Sequence, residues 1–186
     1  MAEFFTVLSP ADALAKLWQH FSPAPRAEVI PPAEALGRVT LESIPAPSPL
    51  PAFPRSTMDG YAVRAQDTFG ASASLPAYLN LIGEVPMGRA SALEIRPAQA
   101  ALVHTGGMIP PGANAVVQIE NTQKVSETEI EVIKAVGVGE NTVRVGEDVA
   151  EGEEVLPAGH LLRPQDLGGL LALGITSVRV AARPRV

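Results

Sequence analysis

Ser56-Thr57-Met58-Asp59-Gly60-Tyr61-Ala62 is the stretch on which the fold turns. It follows the densest proline run of the chain, with Pro45, Pro47, Pro49, Pro51 and Pro54 inside ten residues. Proline cannot donate to a β ladder, so this run is a stiff extended connector and not a central strand. Gly60 lets the backbone turn or be approached closely. Asp59 can accept several hydrogen bonds or hold a hard cation. The plainest expectation is an Asp-Gly turn leading into a strand at Tyr61-Ala62-Val63.

Downstream of that turn the chain alternates short apolar segments with Gly, Pro and Asn, which predicts a mainly β segment to about Val136. The expected strands are Tyr61–Val63, Tyr78–Ile82, Ala100–His104, Ala115–Ile119 and Glu129–Lys134, with a hairpin around Ser126-Glu127-Thr128. Upstream, Ser9-Pro10 has the form of an N-cap followed by proline at the first helical position. Leu14, Leu17, Trp18 and Phe21 recur at helical spacing, so a helix over about 10–21 is predicted, ended by Pro23 and Pro25. Its stripe, Trp18 included, is expected to pack in the core. A short extended piece at Glu28–Ile30, a helical turn or two over 31–37, and a strand through Val39, Leu41 and Ile44 follow. Beyond the acidic, glycine-rich connector at 137–153, a strand and turn at Val155–Gly159, a helix from Pro164 to Leu173 and a strand over Ile175–Val180 complete the pattern.

The fold class expected is therefore mainly β with a few short helices, in two subdomains, one inserted into the other. The outer one would comprise residues 1–44 and 145–186, and the inserted one 45–144. At 186 residues, 46% hydrophobic but only 4% aromatic, the chain must fill its cores with Val, Leu, Ile and Ala. It contains no cysteine, which excludes disulfides and thiolate metal sites and suits a reducing, cytoplasmic compartment. The net charge of −6 argues against a nucleic-acid partner. No apolar run approaches the ~20 residues that span a bilayer, and no secretory signal pattern is present.

Three stretches could carry chemistry. The first holds Asp59. The second runs from His104-Thr105-Gly106-Gly107 to Glu120; paired glycines after a strand can offer successive N–H groups to an anion, with the Thr105 hydroxyl as a further donor. The third is Asn141-Thr142-Val143-Arg144-Val145-Gly146-Glu147-Asp148, whose acids could help hold Mg²⁺. In isolation, turns and a solvated acidic face are the better explanation of each stretch. His20, His104 and His160 show no metal-ligand spacing, and no nucleophilic triad or Rossmann glycine pattern is present.

Taken in order, these motifs resemble one family. Ser56-x-Met58-Asp59-Gly60-Tyr61-Ala62 after a proline run, Thr105-Gly106-Gly107 through Pro110-Pro111-Gly112-Ala113-Asn114-Ala115-Val116-Val117 to Glu120, Gly146-Glu147-Asp148, and Leu156-Pro157-Ala158-Gly159 are similar to the MoeA/gephyrin E-domain family, the molybdopterin molybdenumtransferases. The resemblance implies insertion of molybdate into adenylylated molybdopterin with release of AMP, Mg²⁺ as the divalent cation, and an elongated homodimer. It assigns catalytic roles to Asp59 and Asp148, which would also contact the metal. It assigns substrate contacts to Ser56, Thr105, Gly106, Gly107, Glu120 and Arg144. Two positions depart from the family pattern: Asn114 stands where an acid is usual, and Val143 where an arginine is frequent. The family continues into a molybdopterin-binding α/β domain and a small β-barrel, and its cleft is completed by the other subunit. The resemblance thus covers the N-terminal region and implies that this chain alone does not insert molybdate. The other function it allows is a gephyrin-like dimerisation or scaffold module.

Overall fold

The structure, a computed structural model, describes residues 7–21 and 24–184. In chain order its elements are helix α1 (Pro10–His20), strands β1 (Ala27–Ile30), β2 (Ile44–Pro45), β3 (Arg55–Ser56), β4 (Gly60–Val63), β5 (Ala77–Glu84), β6 (Gln99–Val103), β7 (Ala115–Gln118), β8 (Thr122–Ser126), β9 (Glu129–Val132), β10 (Thr142–Val143) and β11 (Glu154–Leu156), helix α2 (Pro164–Ala172) and strand β12 (Val178–Ala181). Short strands dominate, as the glycine and proline content implied. The chain divides into two compact units: an inner one, Ile44–Val155, and an outer one built from the segments before and after it.

The inner unit is organised by β4. All four of its residues are buried. Six strands pair in the order β7-β4-β6-β5-β9-β8, with β5 and β6 parallel and the other pairs antiparallel. Side chains alternate across a strand, and here both faces are covered. Tyr61 and Val63 pack with Leu79, Val117, Ile130 and Val132 on one face. Ala62 packs with Val85, Ala101, Val103, Ile109 and Val116 on the other. Val, Leu, Ile and Ala fill most of both layers, and Tyr61 adds an aromatic ring to the first. Gly60 is the first residue of β4 itself, so the Asp-Gly pair leads straight into the ladder. The hairpin falls where expected, between β8 and β9.

In the outer unit, β1 pairs with β12, Ile30 opposite Val178. The predicted strand over Val39 to Ile44 is broken into bridges from Val39 to Leu161 and Thr40 to Val180, with a short strand, β2, beginning only at Ile44. The Thr40 hydroxyl is tied to the 157–160 turn, donating to the Pro157 carbonyl at 2.7 Å and accepting the His160 amide at 2.9 Å. β12 begins only at Val178, because the Ile175 amide closes the end of α2 on the Leu170 carbonyl at 2.9 Å. Helix α1 forms as its cap predicts, with the Asp12 amide donating to Ser9 Oγ. Pro23, expected among the residues that end it, lies outside the described residues. The expected core role of its stripe is corrected. Leu14, Leu17, Trp18 and Phe21 are all more than half exposed, and no residue of the helix is buried. Trp18 and Phe21 stack on each other instead, centroids 6.3 Å apart. Periodicity reveals an apolar face but not what covers it.

Helix α2 starts on a polar knot. Asp166, one turn in, accepts from the Arg163 amide at 2.9 Å, the Arg163 guanidinium at 3.0 Å and His160 Nε2 at 2.7 Å. The Arg163 side-chain hydrogen bonds hold the Asp166 carboxyl far below its ordinary value; burial opposes them, while His160 and the Arg163 amide assist. A lowered folded-state pKa means that the stabilisation is complete above the unfolded value, 3.8, and fades as the pH falls below it. Asp166→Asn is therefore expected to lower the thermal midpoint by several degrees at about pH 7, with the deficit shrinking toward about pH 2.5. An equal deficit at both pH values would contradict this.

Candidate active site

The predicted chemistry-bearing stretches meet on the inner unit. Strand β3 is the meeting point. Ser56 pairs with Thr142 and Arg55 with Val143 across the β3–β10 ladder. On the other side, the Ser56 amide donates to the Gly107 carbonyl at 2.9 Å and the Gly106 amide to the Ser56 carbonyl at 2.8 Å. Three stretches far apart in sequence are thus laced together by backbone bonds.

Asp59 stands at the centre of this arrangement. Its Oδ1 accepts the Thr105 amide at 2.7 Å and the Thr105 hydroxyl at 3.0 Å. Its carbonyl accepts the Ile119 amide at 3.1 Å, which brings the short 3-10 turn Ile119–Asn121, and Glu120 within it, next to the same turn. The Thr105 backbone bond, then its side-chain bond, lower the Asp59 pKa; slight desolvation opposes them and the neighbouring His104 adds to them. The carboxylate is exposed and ionised at neutral pH, with one oxygen engaged by Thr105.

The other predicted site residues are placed as follows. Ser56 is buried, and its hydroxyl both donates to the Met58 carbonyl at 2.6 Å and accepts the Met58 amide at 3.2 Å. It shapes the turn that aims Asp59. The Gly106 amide serves Ser56 and the Gly107 amide serves the His104 carbonyl at 2.8 Å, so both donors are engaged within the protein and the paired glycines form a closed turn. Arg144 is exposed and lines a depression of about 490 Å³ with Gly139, Thr142, Val145 and Glu147. Asp148 is exposed, its amide donating to the Leu50 carbonyl at 3.0 Å. Among the described residues no three His, Asp or Glu side chains converge as a metal cage. A larger depression of about 950 Å³ lies in the outer unit, lined by residues such as Arg26, Glu28 and Arg38, and contains none of the motif residues.

Glu84 and Arg55, outside the three stretches, contribute to this region, as does Asn141 at the start of the third. Asn141 adopts a positive φ of 58°, and from there its Nδ2 donates to the Val116 carbonyl at 2.8 Å while its own carbonyl accepts the Thr57 amide at 3.0 Å. Asparagine tolerates that conformation better than most residues, which is the one local signal available. Glu84 Oε1 lies 2.8 Å from His104 Nε2. Arg55 stacks over the Phe53 ring, 4.9 Å from its centroid, with Nε buried and unpartnered.

The sequence that carries these motifs matches a described family, the MoeA N-terminal region (domain I and II), over residues 8–174. The chain belongs to that family. Within the MoeA family, it is similar to molybdopterin molybdenumtransferase 2 of Mycobacterium tuberculosis, 39% identical over 157 residues that cover 84% of this chain and 38% of that protein. It is also similar to the molybdopterin molybdenumtransferase of Bacillus subtilis, 35% identical over 180 residues covering 95% of this chain and 42% of that one. The crystal structure of a molybdopterin biosynthesis MoeA protein from Pyrococcus horikoshii superposes with a TM-score of 0.85 at 41% identity, over 94% of this chain and 46% of that one. The chain therefore spans about two fifths of the length of the curated relatives it matches.

Within the MoeA pattern, the two departures acquire physical meaning. Asn114 Oδ1 accepts the Ala65 amide at 2.7 Å, and its Nδ2 donates to Gln66 Oε1 at 3.4 Å. An acceptor is what the Ala65 amide requires, and an amide oxygen supplies it as a carboxylate would. Val143 sits in the ladder opposite Arg55, half-buried, while Arg144 beside it is exposed.

Proposed function

We propose that this chain is the N-terminal part of a molybdopterin molybdenumtransferase, contributing to insertion of molybdate into adenylylated molybdopterin with release of AMP in molybdenum cofactor biosynthesis. The observation that carries this reading is the Asp59–Thr105 pair, in which two family-motif residues far apart in sequence share one carboxylate oxygen, the other having no partner among the described residues. Asp59 would position the substrate or its cation. Thr105 fixes the direction of that carboxylate, Ser56 shapes its turn, and the Thr105-Gly106-Gly107 turn holds Thr105 in place. Glu120, Arg144 and Asp148 lie on stretches tied to the same unit and would meet the substrate around Asp59.

Mg²⁺ fits this donor set only in part. The ion commonly takes one or two carboxylates, waters and substrate phosphates. Asp59, with Asp148 as the second carboxylate of the reading, would hold it once an adenylylated substrate brings phosphate oxygens; the described residues alone build no cage. When bound, the ion would neutralise phosphate charge during departure of AMP. Homodimerisation, part of the same reading, agrees with the exposed apolar stripe of α1. The absence of cysteine is compatible with the cytoplasm.

Molybdate-dependent AMP release from adenylylated molybdopterin tests this reading. The 186-residue chain alone is expected to give none. The same chain joined to the C-terminal remainder of the Bacillus subtilis relative is expected to restore turnover. Turnover by the chain alone, or an inactive but folded chimera, would argue against it.

A further inference from the structure

We infer that Glu84 and His104 form a brace that positions Thr105 against Asp59. The effect on turnover rests on the proposed function; the structural effect does not. The brace originates in the parallel pair β5–β6. Its register runs Asn80 opposite Gln99 and Leu81 opposite Ala100, then shifts, so that Glu84 stands opposite Leu102. Gly83 absorbs the shift with a φ of 148°, a conformation that side chains rarely adopt. The Val85 amide then locks the new register by donating to the Leu102 carbonyl at 2.8 Å. His104 lies two residues beyond Leu102, just past the end of β6 at Val103. The bulge thus delivers the Glu84 carboxylate to His104 Nε2, 2.8 Å away.

His104 is also the anchor of the turn that carries Thr105. Its carbonyl accepts the Gly107 amide at 2.8 Å, and a Cβ on Gly107 would stand 2.8 Å from that carbonyl oxygen. Thr105 is the first residue inside this turn, and both its donors reach Asp59 Oδ1. One side of the turn is held by Ser56 through two backbone bonds. The other side is held by the His104 ring on Glu84. Both partners are partly exposed, with side-chain exposures of 38% and 56%, so the brace is a modest contact acting at a sensitive point. His104 and Glu84 are positioning residues, since neither is placed against substrate.

Amide hydrogen exchange of Thr105 in this chain, read by NMR, tests the inference. His104→Ala and Glu84→Ala are each expected to raise Thr105 exchange about five-fold while leaving the β4 amides protected. The double variant is expected to go no further than either single one, because both remove the same contact. His104→Gln keeps a donor for Glu84 and is expected to retain protection, whereas His104→Leu, of similar size but without a donor, is expected to lose it. Unchanged Thr105 exchange, additive losses, failure of the glutamine rescue, or equal loss across β4 would each overturn the brace. Because no substrate is involved, that result is independent of the transferase reading. In the active chimera described above, His104→Ala is expected to lower kcat about five-fold with KM unchanged; a wild-type kcat alongside altered Thr105 exchange would overturn the link to catalysis.

Discussion

Asp59→Asn, placed in a form that turns over molybdate, is expected to lower kcat by at least about 100-fold while the protein stays folded. The substitution is chosen because the geometry separates the two oxygens. The amide oxygen of asparagine can accept the Thr105 amide and hydroxyl just as Oδ1 does. Ser56 still shapes the turn through Met58, and Ile119 still donates to the backbone at position 59. What disappears is the negative charge and the second acceptor, replaced by an NH₂ donor that repels a cation. If Asp59 positions a cation or substrate phosphates through that cation, turnover falls and stability does not. A variant with near-normal kcat and wild-type melting would remove Asp59 from the chemistry. A variant that loses activity only because it unfolds would show a collapsed midpoint, and the unchanged-fold expectation makes that outcome visible.

Gly60→Ala is expected to have the largest effect on stability. A Cβ at this position would lie 2.0 Å from the Val117 carbonyl oxygen and 2.9 Å from its carbon, where real Cβ atoms do not come within 3.0 Å. The obstacle is backbone in a neighbouring strand, so no rotamer change relieves it. β7 would have to move away from β4, opening the ladder that pairs Gly60 with Gln118 and Tyr61 with Val117. Losses of about 3 kcal/mol or more are typical when a core strand is displaced, and the thermal midpoint should fall by about 10–20 °C. Gly106→Ala is the control. Gly106 has a φ of 81°, but an added methyl group would meet nothing within 4 Å, so only backbone strain of about 1 kcal/mol is expected there. Similar losses in the two variants would show that steric approach to Val117 is not what requires glycine at position 60.

Much of this was legible locally. Tyr61-Ala62-Val63 announced a strand by composition, the Ser126–Thr128 hairpin by alternation, and α2 by proline at its start and glycine after its end. The motif order led to the MoeA family before any geometry. What escaped depends on partners distant in sequence. The contact between Glu84 and His104 exists only because β5 slips register between Leu81 and Glu84. Nothing in Asn141 by itself says that it will hold both Val116 and Thr57. The glycine pair after Thr105 had the composition of an anion loop, yet the Gly106 amide goes to Ser56 on the edge of β3 and the Gly107 amide closes a turn on His104. The stripe of α1 had the right period for packing, but periodicity carries no information about the element that would lie on it.

The sequence separation between Asp59 and Thr105 has a kinetic corollary. The two residues are 46 positions apart, and drawing chain ends together over that span costs about 3 kcal/mol of closure entropy before any contact is rewarded. The strands that flank Asp59 and Thr105, β4 and β6, are themselves such a non-local pair, and topologies of this kind fold slowly. A nascent chain emerging from the ribosome therefore holds its aspartate for dozens of residues with no threonine to receive. The Asp59–Thr105 corner can form only once β6 has been synthesised and pairs with β4.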